Sequence, residues 1–107
     1  MPQQTLPYTN ATAIVGTVAS TPLLREVGDG EQVLQSRMRV CIPGEPAVTV
    51  PCTTRSPALI RKVEKCDVGA ALSLRGSVVS RFWVSAGATG SRVEVVVTAA
   101  ERCRLES

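Results

Sequence analysis

Apolar and β-branched residues recur in short blocks separated by Gly, Pro and Asp, the punctuation of a strand-rich chain. The first block, 11–19 (ATAIVGTVA), predicts a strand with Gly16 marking a bulge or bend. TPLLREVGDGEQ then leads through a Gly28-Asp29-Gly30 turn into a second strand at 33–42, PGEP ends it, and 47–54 forms a third. One stretch has helical period: SPALIRKVEKCDVG places Ser56 at the N-cap, Pro57 at the first helical position, Leu59, Ile60 and Val63 on one side, and Gly69 as terminator. It predicts a short helix over 57–65. A fourth strand covers 71–83 with Gly76 in its middle, AGATGS reads as a flexible hairpin loop, and 92–103 is the fifth strand. Residues 1–10 show little periodicity and read as a flexible arm, leaving 11–104 as one domain.

The order β-β-β-α-β-β, with the helix between the third and fourth strands, is the connectivity of an OB-fold. The expected class is therefore all-β with one short helix, a five-stranded Greek-key barrel; an open α+β sheet is the competing architecture. Closure also removes sheet edges, which matters for a chain this rich in Val.

Alternation assigns the faces. On the second strand Leu34, Met38, Val40 and Ile42 fall on one side, with Gln35, Arg37, Arg39 and Cys41 on the other; on the third, Val48, Val50 and Cys52 oppose Thr49, Pro51, Thr53 and Arg55. Matching apolar to apolar pairs Val40 with Val50 and Met38 with Cys52, and sets Arg39 opposite Pro51, Arg37 opposite Thr53 and Gln35 opposite Arg55. The hairpin loop then runs from Pro43 to Ala47. Cys41 and Cys52 point to opposite faces, which excludes a disulfide between them. Strand four turns Leu72, Leu74, Gly76 and Val78 inward and Arg75, Ser77, Val79, Arg81 and Trp83 outward. Arginines at i and i+2 stand about 6.6–6.8 Å apart, comparable with phosphate spacing along an extended single strand.

Composition narrows the chemistry. A chain of 107 residues, 44% hydrophobic and 20% charged, holds one small domain. The +3 net charge hides an asymmetry: 1–31 carries Arg25 against Glu26, Asp29 and Glu31, whereas the body of the domain is strongly basic, and most of its cations are Arg. That points to a polyanionic partner. Histidine is absent, which removes imidazole acid–base chemistry and His-containing zinc sites; neither Glu94 nor Glu101 has an evident catalytic partner, so no enzyme is expected. Cys41, Cys52, Cys66 and Cys103 include no CxxC pair and read as reduced structural thiols, with no metal and no cofactor. No apolar stretch is long enough to span a membrane and no signal peptide is evident, so a cytoplasmic, nucleoid-associated protein is expected.

Specific residues carry a resemblance. Asn10 is followed by Ile14-Val15-Gly16, Thr21-Pro22, Leu24-Arg25, the Gly28-Asp29-Gly30 turn and Val33; later come Gly76-Ser77-Val78, Arg81-Phe82-Trp83, Gly87 or Gly90, and Arg92-Val93-Glu94-Val95. In order and spacing, Asn10 to Cys103 resembles the bacterial single-stranded DNA-binding proteins and their small relatives, including primosomal replication protein N. The resemblance implies an OB-fold, single-stranded DNA as partner, and assembly as a homo-oligomer, dimer or tetramer. It also implies accessory roles in replication, recombination or repair, with other proteins of those processes as further partners.

Two departures shape the expected binding mode. Where the family carries Trp and Phe on the third strand this chain has Thr49 and Arg55, and its loop has Pro43-Gly44. Each lost stacking contact forfeits ~1–3 kcal/mol. The sequence also stops at Arg104-Leu105-Glu106-Ser107, without the family's acidic tail; in this, and in its reliance on basic residues, primosomal replication protein N is the nearer analogue. The expectation is arginine-led, salt-sensitive, sequence-nonspecific binding of single-stranded DNA. Arg37, Arg39 and Arg55 lead on strands two and three with Thr49 and Thr53 beside them, Arg75, Arg81 and Arg92 add phosphate contacts, and Trp83 supplies stacking. The alternative is an OB-fold protein-interaction module that has lost effective DNA binding.

Overall fold

The computed structural model describes residues 9–41 and 43–104, without the side chains of Trp83 and Ser85. The strands are β1 (Thr12–Val18), β2 (Leu23–Val27), β3 (Glu31–Val40), β4 (Val48–Thr54), β5 (Ala71–Ser85) and β6 (Ala88–Arg102), with α1 (Pro57–Glu64) between β4 and β5. β1 pairs with both β5 and β3, β5 with β6, β6 in parallel with β4, and β4 with β3, so five strands close a ring and β2 extends from it as a hairpin on β3. This is the OB-fold arrangement, mostly β with one short helix.

Alternation fills the interior. Val18, Leu34, Met38, Cys52, Leu72 and Leu74 are almost wholly buried, joined by Val95, Val97 and Ala100 from β6. α1 covers one end of the barrel with Ile60 and Val63, and Cys66 follows them into the core. Each such aliphatic side chain contributes ~1.5–3 kcal/mol on burial. The helix ends one residue earlier than its sequence suggests. Ser56 occupies the cap position in extended conformation, but its hydroxyl caps nothing; its carbonyl accepts the Ile60 N–H at 2.8 Å. Gly69 lies beyond the helix at φ 93° and donates its N–H to Val18 at 2.8 Å, tethering the helix exit to β1.

Two glycines are required by close approach. A Cβ at Gly16 would collide with the Arg39 carbonyl where β1 crosses β3, and one at Gly76 would collide with the Val96 carbonyl. The register of β5 on β6 shifts between Arg75 and Gly76, the bend anticipated there, and the extra residue on β6, Thr98, donates its hydroxyl to the Arg75 carbonyl at 3.3 Å. At the other end of this region Asn10 extends β1: its amide donates to Val78 O at 2.7 Å and accepts the Val78 N–H at 2.8 Å.

Three expectations change. First, Leu23–Val27 is a strand, invisible to alternation because all five of its residues are exposed; backbone pairing with β3 across the Gly28-Asp29-Gly30 turn makes it. Second, the β3–β4 register differs by two residues from the apolar-to-apolar match: Met38 faces Val50, Val40 faces Val48, Arg39 faces Thr49, Arg37 faces Pro51 and Gln35 faces Thr53. An even shift preserves both faces, so alternation cannot discriminate against it. Third, the AGATGS loop contracts to a two-residue turn at Ala86-Gly87, both with positive φ, the geometry that matches strand twist in a tight hairpin. Ala88 to Ser91 therefore lie in β6, and β5 and β6 run on beyond the barrel as a projecting arm. Ile42 lies outside the described residues.

Candidate nucleic-acid interface

The outward positions of β3 and β4 form a polar, basic surface. Arg37 and Arg39 are exposed and two residues apart, and Thr49 stands directly across from Arg39, also exposed. Arg37 enters a groove of about 400 Å³ whose lining includes Arg25, Gln35, Pro51 and Arg92. Arg39 borders a second depression, of about 240 Å³, with Val15, Thr17 and Cys41. Arg37 in the first and Arg39 at the second stand two residues apart on one strand, and the first groove by itself gathers arginines from three elements, β2, β3 and β6. Arg25 was not foreseen there: it belongs to the acidic N-terminal third, and only the β2 hairpin folds it back beside Arg37.

The base of the arm holds a second group. Arg81 and Arg92 are cross-strand partners, a like-charge arrangement that is ordinarily destabilising. Glu94, on the same face two residues from Arg92, bridges them: Arg81 Nε donates to Oε1 at 2.7 Å and Arg92 donates to Oε2 at 3.2 Å. The carboxylate side chain is only 4% exposed, whereas both guanidinium groups stay nearly half exposed. Burial alone would raise the Glu94 pKa; hydrogen bonds from Arg81 and the neighbouring Thr53 hydroxyl, with the charges of Arg81 and Arg92, outweigh it and hold the carboxyl below its ordinary range. The cluster thus keeps two forked cations oriented towards solvent at a net charge of one.

The other sequence-predicted residues fall elsewhere. Thr53 is buried and faces Glu94 rather than solvent, so it supports the arginine pair from beneath. Arg55 lies past the end of β4, where Glu31 meets it at 3.8 Å, both groups well exposed; such a pair contributes at most about 1 kcal/mol. Arg75 is on the β1–β5–β6 wall, in a depression lined by Asn10 to Ala13 and Thr98, with none of the other candidate arginines. Trp83 pairs with Gly90 on the arm, and its side chain lies outside the described residues. Beside it on the strand Phe82 is 80% exposed.

The cysteines are all free. Burial and then the adjacent Glu94 charge push the Cys52 thiol up to about 11, so it stays protonated at neutral pH. Among the described residues no cluster of His, Cys, Asp and Glu could hold a metal ion. No helix among them is long and apolar enough to cross a membrane.

No family model matches the chain, and no curated protein sequence does. Solved structures do match it. The mitochondrial single-stranded DNA-binding protein Rim1 of S. cerevisiae superposes over 91% of this chain and 96% of its own, with a TM-score of 0.73 at 13% identity. The fold is that of the single-stranded DNA-binding proteins. The small single-stranded DNA-binding protein from Streptomyces coelicolor matches over 90% of this chain and 96% of its own, with a TM-score of 0.68 at 15% identity. Both matches span nine-tenths of this chain.

Proposed function

We propose that the protein binds single-stranded DNA without sequence preference, along a track running from Arg39 and Thr49 through Arg37 and Arg25 to Arg92 and Arg81. The observation that carries this reading is the groove in which Arg25, Arg37 and Arg92 converge from three strands on a single-stranded DNA-binding fold. Arginine suits the task because its planar fork takes phosphate bidentately and stacks on bases. With Thr49 in an aromatic position of the resembled family, electrostatics leads and Trp83 is the one tryptophan left for stacking. Arg75 and Arg55 lie off this track and serve only a strand that wraps further. The biological setting that fits is an accessory role in DNA replication, recombination or repair, beside the nucleoid.

Titration of labelled oligo-dT tests this. Log K falls with log salt at about 0.7 per phosphate neutralised, giving a slope near 3 if four or five arginines engage. Absence of binding at low salt rejects the proposal.

A second reading, a protein-contact role for the arm, rests on its apolar face. Val78, which alternation places inward with Leu72 and Leu74, is exposed here together with Phe82, Val84 and Val93, because that face of the β5–β6 hairpin has left the barrel; Phe82 and Val84 are 80% and 76% exposed. Such a patch is suited to burial against a second copy. Sedimentation should give a dimer or tetramer for the wild type and a shift towards monomer for Phe82→Ser with Val84→Ser; a wild-type monomer at all concentrations rejects this use of the arm.

A further inference from the structure

Away from the arginine track, the outer face of α1 carries a cluster that DNA binding does not use. Ala58, Arg61, Lys62 and Lys65 follow one another at i, i+3, i+4 and i+7, opposite the buried Ile60 and Val63. Arg102, near the end of β6, joins them, and together with the half-buried Leu59 they line an open cleft of about 480 Å³. Both lysines of the chain are here. Among the described residues none of the four cations makes an ion pair, whereas Arg55, Arg81 and Arg92 all do. Glu64 lies on the flank of the helix and Glu101 beside Arg102 on the strand, and neither lines the cleft.

The arrangement costs stability. Arg61 with Lys65 and Lys62 with Lys65 are like-charge neighbours on a helix, each worth a few tenths of a kcal/mol against it. The helix C-terminus offsets part of that for charges in the last turn. It does not explain why a strand brings a fourth cation to the same place.

We propose that this cleft docks an acidic segment of a partner protein, an aliphatic side chain resting on Ala58 and Leu59 while carboxylates meet Arg61, Lys62, Lys65 and Arg102. Charge complementarity selects an anion, and the floor selects among anions. What sets this cleft apart from the DNA groove is its two lysines and its apolar floor of Ala58 and Leu59, where the DNA groove is arginine-led and more polar. Lysine ammoniums are point charges suited to single carboxylates, and an aliphatic floor suits a leucine-bearing peptide. The site is independent of the DNA track: Arg92 and Arg102 are ten positions apart on β6, about 33 Å along the strand. That is several times the ~8–10 Å screening length, so changing one site leaves the other's field intact.

The test uses the whole chain and a fluorescein-labelled peptide of aspartates surrounding one leucine, read by anisotropy, with labelled oligo-dT titrated in parallel. Micromolar peptide binding is expected, weakened about tenfold or more by Arg61→Glu with Lys65→Glu and also weakened when the peptide's leucine becomes serine. Oligo-dT affinity should be unchanged in the double variant, whose circular dichroism melt reports that it folds. Failure of the wild type to bind the peptide, or equal binding by wild type and variant, overturns the proposal. An oligo-dT affinity that falls with the double variant as far as the peptide's does also overturns it, assigning the cleft to nucleic acid.

Discussion

Replacing Arg37 and Arg39 together by glutamate is expected to weaken oligo-dT binding by at least about a hundredfold at low salt. Each charge-assisted hydrogen bond to phosphate is worth ~1.5–3 kcal/mol, and the double variant removes two such donors while adding repulsion, so the lower bound already exceeds two powers of ten. The salt slope should fall by about 1.4, two phosphates' share. Both residues are exposed and take no part in the core, so the variant's stability should change by no more than about 0.5 kcal/mol per site. A melt that matches the wild type therefore separates lost binding from lost fold. Arg75→Glu provides the comparison, since it changes charge equally per site but on the β1–β5–β6 wall. Its expected effect on a short oligonucleotide is under about threefold, because exposed charges beyond a screening length contribute little. If Arg75→Glu weakens binding as much as the double variant, net charge rather than the track is responsible.

The fold was legible where burial and periodicity coincide. The barrel strands, the helix opened by Pro57 and the bend at Gly76 follow from alternation, the fixed φ of a proline in the first helical turn and a missing Cβ, all local properties. What escaped has a common cause: it depends on pairing with no local signature. β2 buries no side chain, so nothing in LLREV announces a strand; it exists because β3 offers a free edge across a glycine turn. The β3–β4 register is degenerate by two for any strictly alternating pair, and the conformation of the Pro43–Ala47 connection, with Gly44 at φ 82°, is what accompanies the observed one.

The interface divides the same way. The parity of Arg37 and Arg39 was visible, and so was their exposure. A linear charge sum puts Arg25 in an acidic segment because it ignores the hairpin. Glu94 carried a weak signal, since Arg92-Val93-Glu94 on a strand must present both charges on one face. Its other partner, Arg81, is separated from it by 13 residues and arrives only through the arm's register. Alternation puts Thr53 on the outer face with Arg55, yet a face of a barrel can be covered, and here Glu94 lies beside it.

Glu94→Gln should therefore have two large and opposite effects. Removing one partner of a buried ion pair costs ~3–5 kcal/mol when both charges are desolvated; here Arg81 and Arg92 are 43% and 44% exposed, so solvent takes over part of the loss and about 1–3 kcal/mol is expected. The pH dependence gives the sign. The folded-state pKa of Glu94 is depressed, so its contribution is complete above the ordinary carboxyl value of 4.5 and disappears as pH falls through the lower folded value. Urea unfolding from neutral pH down to about pH 3 should show wild type and variant converging only at the acidic end. A gap that persists undiminished there would mean that packing, not charge, is what glutamate supplies. DNA binding should move the other way. The variant frees both guanidinium groups from an internal anion, raising the site's net charge by one, so oligo-dT affinity at low salt should rise and the salt slope should steepen by about 0.7. If affinity falls instead, then the bridge acts chiefly to orient Arg81 and Arg92, and preorganisation outweighs the charge that Glu94 cancels.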